Sequence, residues 1–164
     1  MGITLYYFSG TGNSLHVARE LQKKLPESDL VSIIRLLSQD SIKTTGDTVG
    51  LIFPNFCLSI PIPLHDFLEK VDLTSARYFF ALCTRGGTSS DAFDCINELM
   101  KKQGCQLDAQ LNVTMPWNHP MGKENLPPQR AIQIRSSFLA PSFTAVNGRY
   151  HHPAITYKDI AEQH

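Results

Sequence analysis

Short apolar runs alternate along this chain with stripes of apolar residues at helical spacing. Ile3 to Phe8 is apolar apart from Thr4 and ends at Ser9-Gly10, the pattern of a buried strand. Val17, Ala18, Leu21 and Leu25 then share one helical face. Asn13 or Ser14 would cap that helix, Lys23 and Lys24 suit its C-terminal end, and Pro26 stops it. Leu30 to Ile34 predicts a second strand. Thr48 to Phe53 predicts a third, a continuous apolar run of the kind found in sheets covered on both faces. The link between them, Arg35 to Asp47, is cramped for a full crossover helix. Leu64, Phe67, Leu68 and Val71 form the next helical stripe, with Pro63 suited to its first turn. Arg77 to Cys83 predicts a fourth strand. Ala92, Phe93, Ile96, Leu99 and Met100 predict another helix, ended by Lys101, Lys102 and Gly104. Thr88 and Asp91 resemble a capping box ahead of it. Leu107, Ala109, Leu111 and Val113 alternate with polar residues as a half-exposed fifth strand.

This alternation of strand and helix implies an α/β fold, a parallel sheet with helices on both faces. The pattern changes after Met115, where six of the ten prolines and four of the six histidines lie. Only Ala131, Ile132 and Ile134, and Ile155 to Ala161, look helical there. The expected organisation is one domain over residues 1–164, with a core of about 1–135 and an irregular, atypical C-terminal extension over 136–164.

Composition narrows the function. The chain has 164 residues, 42% of them hydrophobic, enough for one substantial core and too apolar for a disordered tail. Lys plus Arg and Asp plus Glu each number 15, so the formal charge is zero, which argues against a nucleic-acid binder or a polybasic membrane anchor. Only 18% of residues are charged, below the roughly 25% of an average soluble domain. The longest uncharged run, Thr48 to Leu64, is interrupted by Pro54, Asn55, Pro61 and Pro63 and is too short to span a membrane. Met1 to Gly10 carries no basic region and no cleavage site of a secretory leader, so a cytoplasmic location is expected. The four cysteines, Cys57, Cys83, Cys95 and Cys105, have no CxxC spacing and build no zinc or iron–sulfur motif. His151-His152 lacks a third ligand at helical spacing, and no Ser/His/Asp or Cys/His arrangement is readable.

The informative segment is Ser9-Gly10-Thr11-Gly12-Asn13-Ser14, where the first strand hands over to the first helix. Backbone amides at a helix start favour an anion such as phosphate. Gly10 and Gly12 allow close approach, and Ser9, Thr11, Asn13 and Ser14 add neutral donors. No Lys-Ser or Lys-Thr pair follows, so this is not a P-loop, and Leu15 stands where GxGxxG needs its third glycine.

The segment resembles the FMN-phosphate loop of the flavodoxin-like superfamily. The resemblance covers about residues 1–115 and is nearest to the small flavodoxin module fused to ferredoxins, here without its iron–sulfur cysteines. It implies a doubly wound three-layer α/β/α sandwich with a five-stranded parallel sheet of order 2-1-3-4-5, in which the loops after strands one, three and four converge at the carboxyl edge. Phe53-Pro54-Asn55-Phe56 resembles the family's Phe-Pro-Val-Tyr segment, with Phe56 in the place of the tyrosine. Phe56 would stack on the isoalloxazine, or serve as an ordinary core or turn aromatic. Thr84, Arg85, Gly86 and Gly87 would border the ring, with Arg85 placing positive charge near it. Trp117 would line the pocket or anchor the tail.

The resemblance implies a non-covalent FMN protein that passes electrons to a redox partner protein or a small quinone-like acceptor. Two other readings stay open: an FMN-dependent NAD(P)H:quinone-type reductase, and a degenerate module serving as an interaction domain. The family's fifth helix is not legible beyond Pro128 to Ile134, so a subunit partner, as in a homodimer, is one candidate for what covers the sheet there.

Overall fold

A computed structural model describes residues 2–86, 91–115 and 143–144. The elements run β1 (Ile3–Tyr7), α1 (Asn13–Lys24), β2 (Ser28–Ser32), α2 (Ile33–Leu36), β3 (Ile42–Lys43), β4 (Thr48–Pro54), α3 (Ile62–Lys70), β5 (Val71–Asp72), β6 (Tyr78–Arg85), α4 (Ala92–Lys101), β7 (Ala109–Thr114) and β8 (Phe143–Thr144). The main sheet has the order β2-β1-β4-β6-β7-β8. Its first five strands are parallel, and they are the five long strands among the described residues, in the order 2-1-3-4-5.

The period of two along each strand divides the core between the faces of the sheet. Tyr6, Val49, Leu51, Phe53, Phe79, Ala81 and Cys83 pack on one side with Leu64, Phe67 and Leu68 of α3 and Phe93, Ile96 and Met100 of α4. Leu5, Ile52, Phe80 and Leu82 pack on the other with Val17, Ala18 and Leu21 of α1. Helices therefore cover both faces, and the fold is a doubly wound α/β/α sandwich.

Several local expectations shift. The second strand is Ser28–Ser32 and not Leu30–Ile34, because the chain turns helical at Ile33. That turn buries Ile33 completely in the α3 side of the core and leaves Ile34 half exposed. No crossover helix follows. The link instead makes a second, two-stranded sheet, β3 parallel to β5, tied by the Thr44 hydroxyl to Asp72 C=O at 3.0 Å and to the Ser75 hydroxyl at 2.7 Å. The fifth strand begins at Ala109 and not at Leu107. Leu107 lies just ahead of it as a buried plug in the α3–α4 side, its N–H donating to Asn97 Oδ1 at 2.8 Å. The sheet also has a sixth strand. Within the stretch read as irregular tail, β8 pairs antiparallel with β7, Leu111 against Phe143, and gives β7 a second neighbour. The predicted helical stretches 131–134 and 155–161, Trp117 and the histidine pair lie outside the described residues. No helix among the described residues is long and apolar enough to cross a membrane.

Candidate functional site

Because β1, β4 and β6 are parallel and adjacent, their C-terminal ends bring three loops to one edge. The first runs from Phe8 to Gly12. Phe8 N–H continues the sheet by donating to Ile52 C=O at 3.0 Å. Ser9 Oγ accepts from Gly12 N–H at 3.1 Å, which folds the loop back on itself. The helix cap is Gly12, not Asn13 or Ser14: Gly12 has φ 104°, and no side chain caps α1. A residue with a Cβ is strained at that φ, so the glycine makes the turn. The first intrahelical bond is His16 N–H to Gly12 C=O at 2.8 Å, and the amides ahead of it are those a helix start offers to an anion. The first turn carries no acidic residue. A Cβ added at Gly10 would meet nothing within 4 Å, so the loop faces open space.

Ser14 is buried and its hydroxyl shares a 2.8 Å hydrogen bond with the Thr84 hydroxyl, also buried. Thr84 Oγ1 donates as well to Phe53 C=O at 3.4 Å. These two residues thus join the start of α1 to the ends of β4 and β6.

The second loop follows Pro54, the last residue of β4. Asn55 N–H donates to Thr84 C=O at 2.8 Å. Phe56 and Ser59 exchange two backbone hydrogen bonds of 3.0 and 2.9 Å across a tight turn. The turn residues Cys57 and Leu58 have φ 49° and 67°, a left-handed geometry that costs free energy outside glycine and persists where neighbours enforce it. The enforcement comes from α4: Asp91 N–H donates to Leu58 C=O at 3.1 Å, and Ser59 Oγ lies 3.4 Å from Cys95 Sγ. Nothing local in the sequence signals this anchor, since Ser59 and Cys95 are distant along the chain and the turn contains neither Gly nor Asn. Phe56 is 55% exposed, so it is no core aromatic, and Leu58 and Ile62 project outward too.

The third loop follows Arg85, whose C=O accepts from Met115 N–H at 2.8 Å. Gly86 is exposed at its start. Gly87 and Thr88 lie outside the described residues. The expected capping box is displaced: Asp91 occupies the cap of α4 itself, where a box would place it three residues inside.

Cys57 is exposed at the site, whereas Cys83, on β6, is buried. Burial pushes the Cys83 thiol up to about 12, against the pull of the nearby Arg85 charge. A maleimide at neutral pH is expected to label Cys57 first and to leave Cys83 unmodified until unfolding, since the thiolate is the reactive form. Peptide mass spectrometry over a labelling time course checks this, and early modification of Cys83 would contradict it. Among the described residues no cluster of three His, Cys, Asp or Glu side chains suits a metal ion.

No family model matches the sequence, and no curated protein matches it. Solved structures share its fold. A flavodoxin from the Archaea superposes with a TM-score of 0.54 at 15% identity, covering 84% of this chain and 99% of that one. The two-electron reduced flavodoxin of Megasphaera elsdenii gives 0.53 at 18%, over 72% and 90%. An azoreductase of Bacillus anthracis gives 0.53 at 13%, over 84% and 95%. The likeness is one of fold: this chain has the flavodoxin-like fold.

Proposed function

We propose that this protein binds FMN non-covalently at the edge formed by the three loops and passes electrons to a partner. The observation that carries the proposal is the loop from Ser9 to Ser14, a neutral, donor-rich turn closed by a left-handed Gly12 at the start of an acid-free helix end. An anionic phosphate suits that place, and the dipole of α1 adds to the attraction.

The other residues fit the rest of the cofactor. The buried Asn55 Oδ1 offers an acceptor, and the outward Phe56 offers an aromatic face to a flat ring. Arg85 supplies a positive charge beside the same edge, which favours a reduced, anionic ring. Bound FMN supplies one- and two-electron chemistry that no side chain has. The chain's part is to hold the phosphate with Ser9, Thr11, Asn13 and the backbone at Gly10, while Gly12, whose N–H goes to Ser9 Oγ, shapes the turn. The Ser14–Thr84 hydroxyl pair fixes those loops relative to one another.

Phe56, Leu58 and Ile62 leave apolar surface in the uncharged stretch next to the site. That favours an apolar contact with the electron partner over long-range electrostatic steering. A redox protein and a small quinone-like acceptor both fit this surface. Carrier and reductase share the cofactor seat, and the sequence carries no nicotinamide fingerprint, which favours the carrier. All four cysteines are free thiols, as suits a reducing compartment, and the reading places the protein in the cytoplasm.

Purified protein is expected to be yellow, or to quench the fluorescence of added FMN in a titration that saturates at one equivalent. Absence of both would sink the proposal and leave the interaction module. Steady-state oxidation of NADH or NADPH with a quinone acceptor would replace the carrier by the reductase.

A further inference from the structure

We infer that Ser14 and Thr84 are positioning residues: their buried hydroxyl pair sets the phosphate loop against the loops after β4 and β6, and neither side chain touches the cofactor. The inference rests on the FMN reading above and gives the pair a different part from the one the resemblance implies, which is Ser14 on the phosphate and Thr84 beside the ring.

Two observations carry it. The first is access. Ser14 is 1% exposed and Thr84 4%, whereas Thr11 and Gly12 of the same loop are exposed and Gly10 faces open space. A phosphate arriving from solvent meets Thr11 and the loop backbone, and the Ser14 hydroxyl is closed off from it. The second is the supply of protons. Thr84 Oγ1 has one, and donates it to Phe53 C=O at 3.4 Å, a group that only accepts. The 2.8 Å contact between the two hydroxyls is therefore made by the Ser14 proton, donated to Thr84 Oγ1. Nothing is left on Ser14 to donate to an anion. The result is a directed chain, Ser14 to Thr84 to Phe53, that ties the start of α1 to the ends of β6 and β4. Asn55 N–H, donating to Thr84 C=O at 2.8 Å, fastens the loop after β4 to the same residue. A ligand that reaches one loop alone does not sense how the loops are spaced, and a ligand that spans them does. Inorganic phosphate is of the first kind and FMN of the second. Holding the loops in place before binding removes an ordering cost from the spanning ligand only.

Calorimetric titration with inorganic phosphate and fluorescence titration with FMN separate the two roles. In Ser14→Ala and in Thr84→Val, phosphate affinity should stay within about twofold of wild type while FMN weakens about three- to tenfold, the effect of losing one internal hydrogen bond. The double variant should be no weaker than either single one, because each removes the same bond. Thr84→Ser, which keeps the hydroxyl, should retain wild-type affinity. Loss of phosphate affinity in Ser14→Ala makes Ser14 a ligand and overturns the inference, and unchanged FMN affinity in both single variants overturns the positioning role. A crystal structure of wild type with FMN, which needs no variant to fold, should keep Ser14 on Thr84 with no phosphate oxygen within about 3.5 Å of Ser14 Oγ. A direct contact there overturns the inference and leaves the FMN reading standing. Failure of wild type to bind FMN at all removes that reading, and this inference with it.

Discussion

Replacing Gly50 by alanine is expected to destabilise the protein by about 1–3 kcal/mol, a sizeable part of the roughly 5–15 kcal/mol that holds an ordinary domain together. Gly50 is in the middle of β4, the central strand, where an extra methyl group and a higher strand propensity would ordinarily help. Here the methyl has no room. A Cβ at Gly50 would lie 2.3 Å from Cζ of Phe80 and 2.8 Å from Cδ2 of Leu5, both buried on the α1 side of the sheet. The Phe80 ring fills the space that glycine leaves, and both neighbours belong to the core that packs on α1. Denaturant unfolding measures the loss. Gly50→Ala with Phe80→Leu should recover part of it, because the two sites share one volume and their effects are coupled. An unchanged midpoint in Gly50→Ala would mean that Phe80 has another place to go.

Thr11→Asp is expected to weaken FMN at least tenfold, about 1.4 kcal/mol or more. Thr11 is exposed in the loop ahead of α1, and the first turn of that helix carries no acid. A carboxylate there would oppose the phosphate. Two like charges about 4 Å apart repel by several kcal/mol at the effective dielectric of a protein surface. The penalty should shrink with added salt, as exposed charges are screened. An unaltered titration would contradict the phosphate assignment.

The sequence disclosed the fold where burial is continuous, and it marked a candidate site where glycines and hydroxyls cluster. Thr48 to Phe53 and Arg77 to Cys83 read as strands because both faces of each are covered, and they are the strands that carry the site loops. Ile33 and Ile34 misled because a run of apolar residues looks alike in an edge strand and in a single buried turn. Asn13 and Ser14 looked like caps because hydroxyls and amides commonly are. Gly12 does the work through its backbone, and the Ser14 hydroxyl is engaged with Thr84, seventy residues away. That pairing is tertiary, as are the fit of Phe80 over Gly50 and the grip of α4 on the turn at Cys57. No local pattern announces any of them. Phe56 was legible as an aromatic in the loop after the third long strand, and the structure adds that it is exposed.

The edge strand β2 bears on how the protein behaves in a crowded solution. It pairs with β1 alone, and among the described residues no strand lies on its outer side. An open strand edge invites another chain to add to it, which is how sheets nucleate aggregates. β2 is poorly suited to that. It spans only Ser28 to Ser32, exposes Asp29, and passes at once into the helical turn of α2, which removes the next residues from any extended template. The early end of this strand, where the apolar pattern predicted it to run on through Ile34, therefore works as protection against edge-to-edge association.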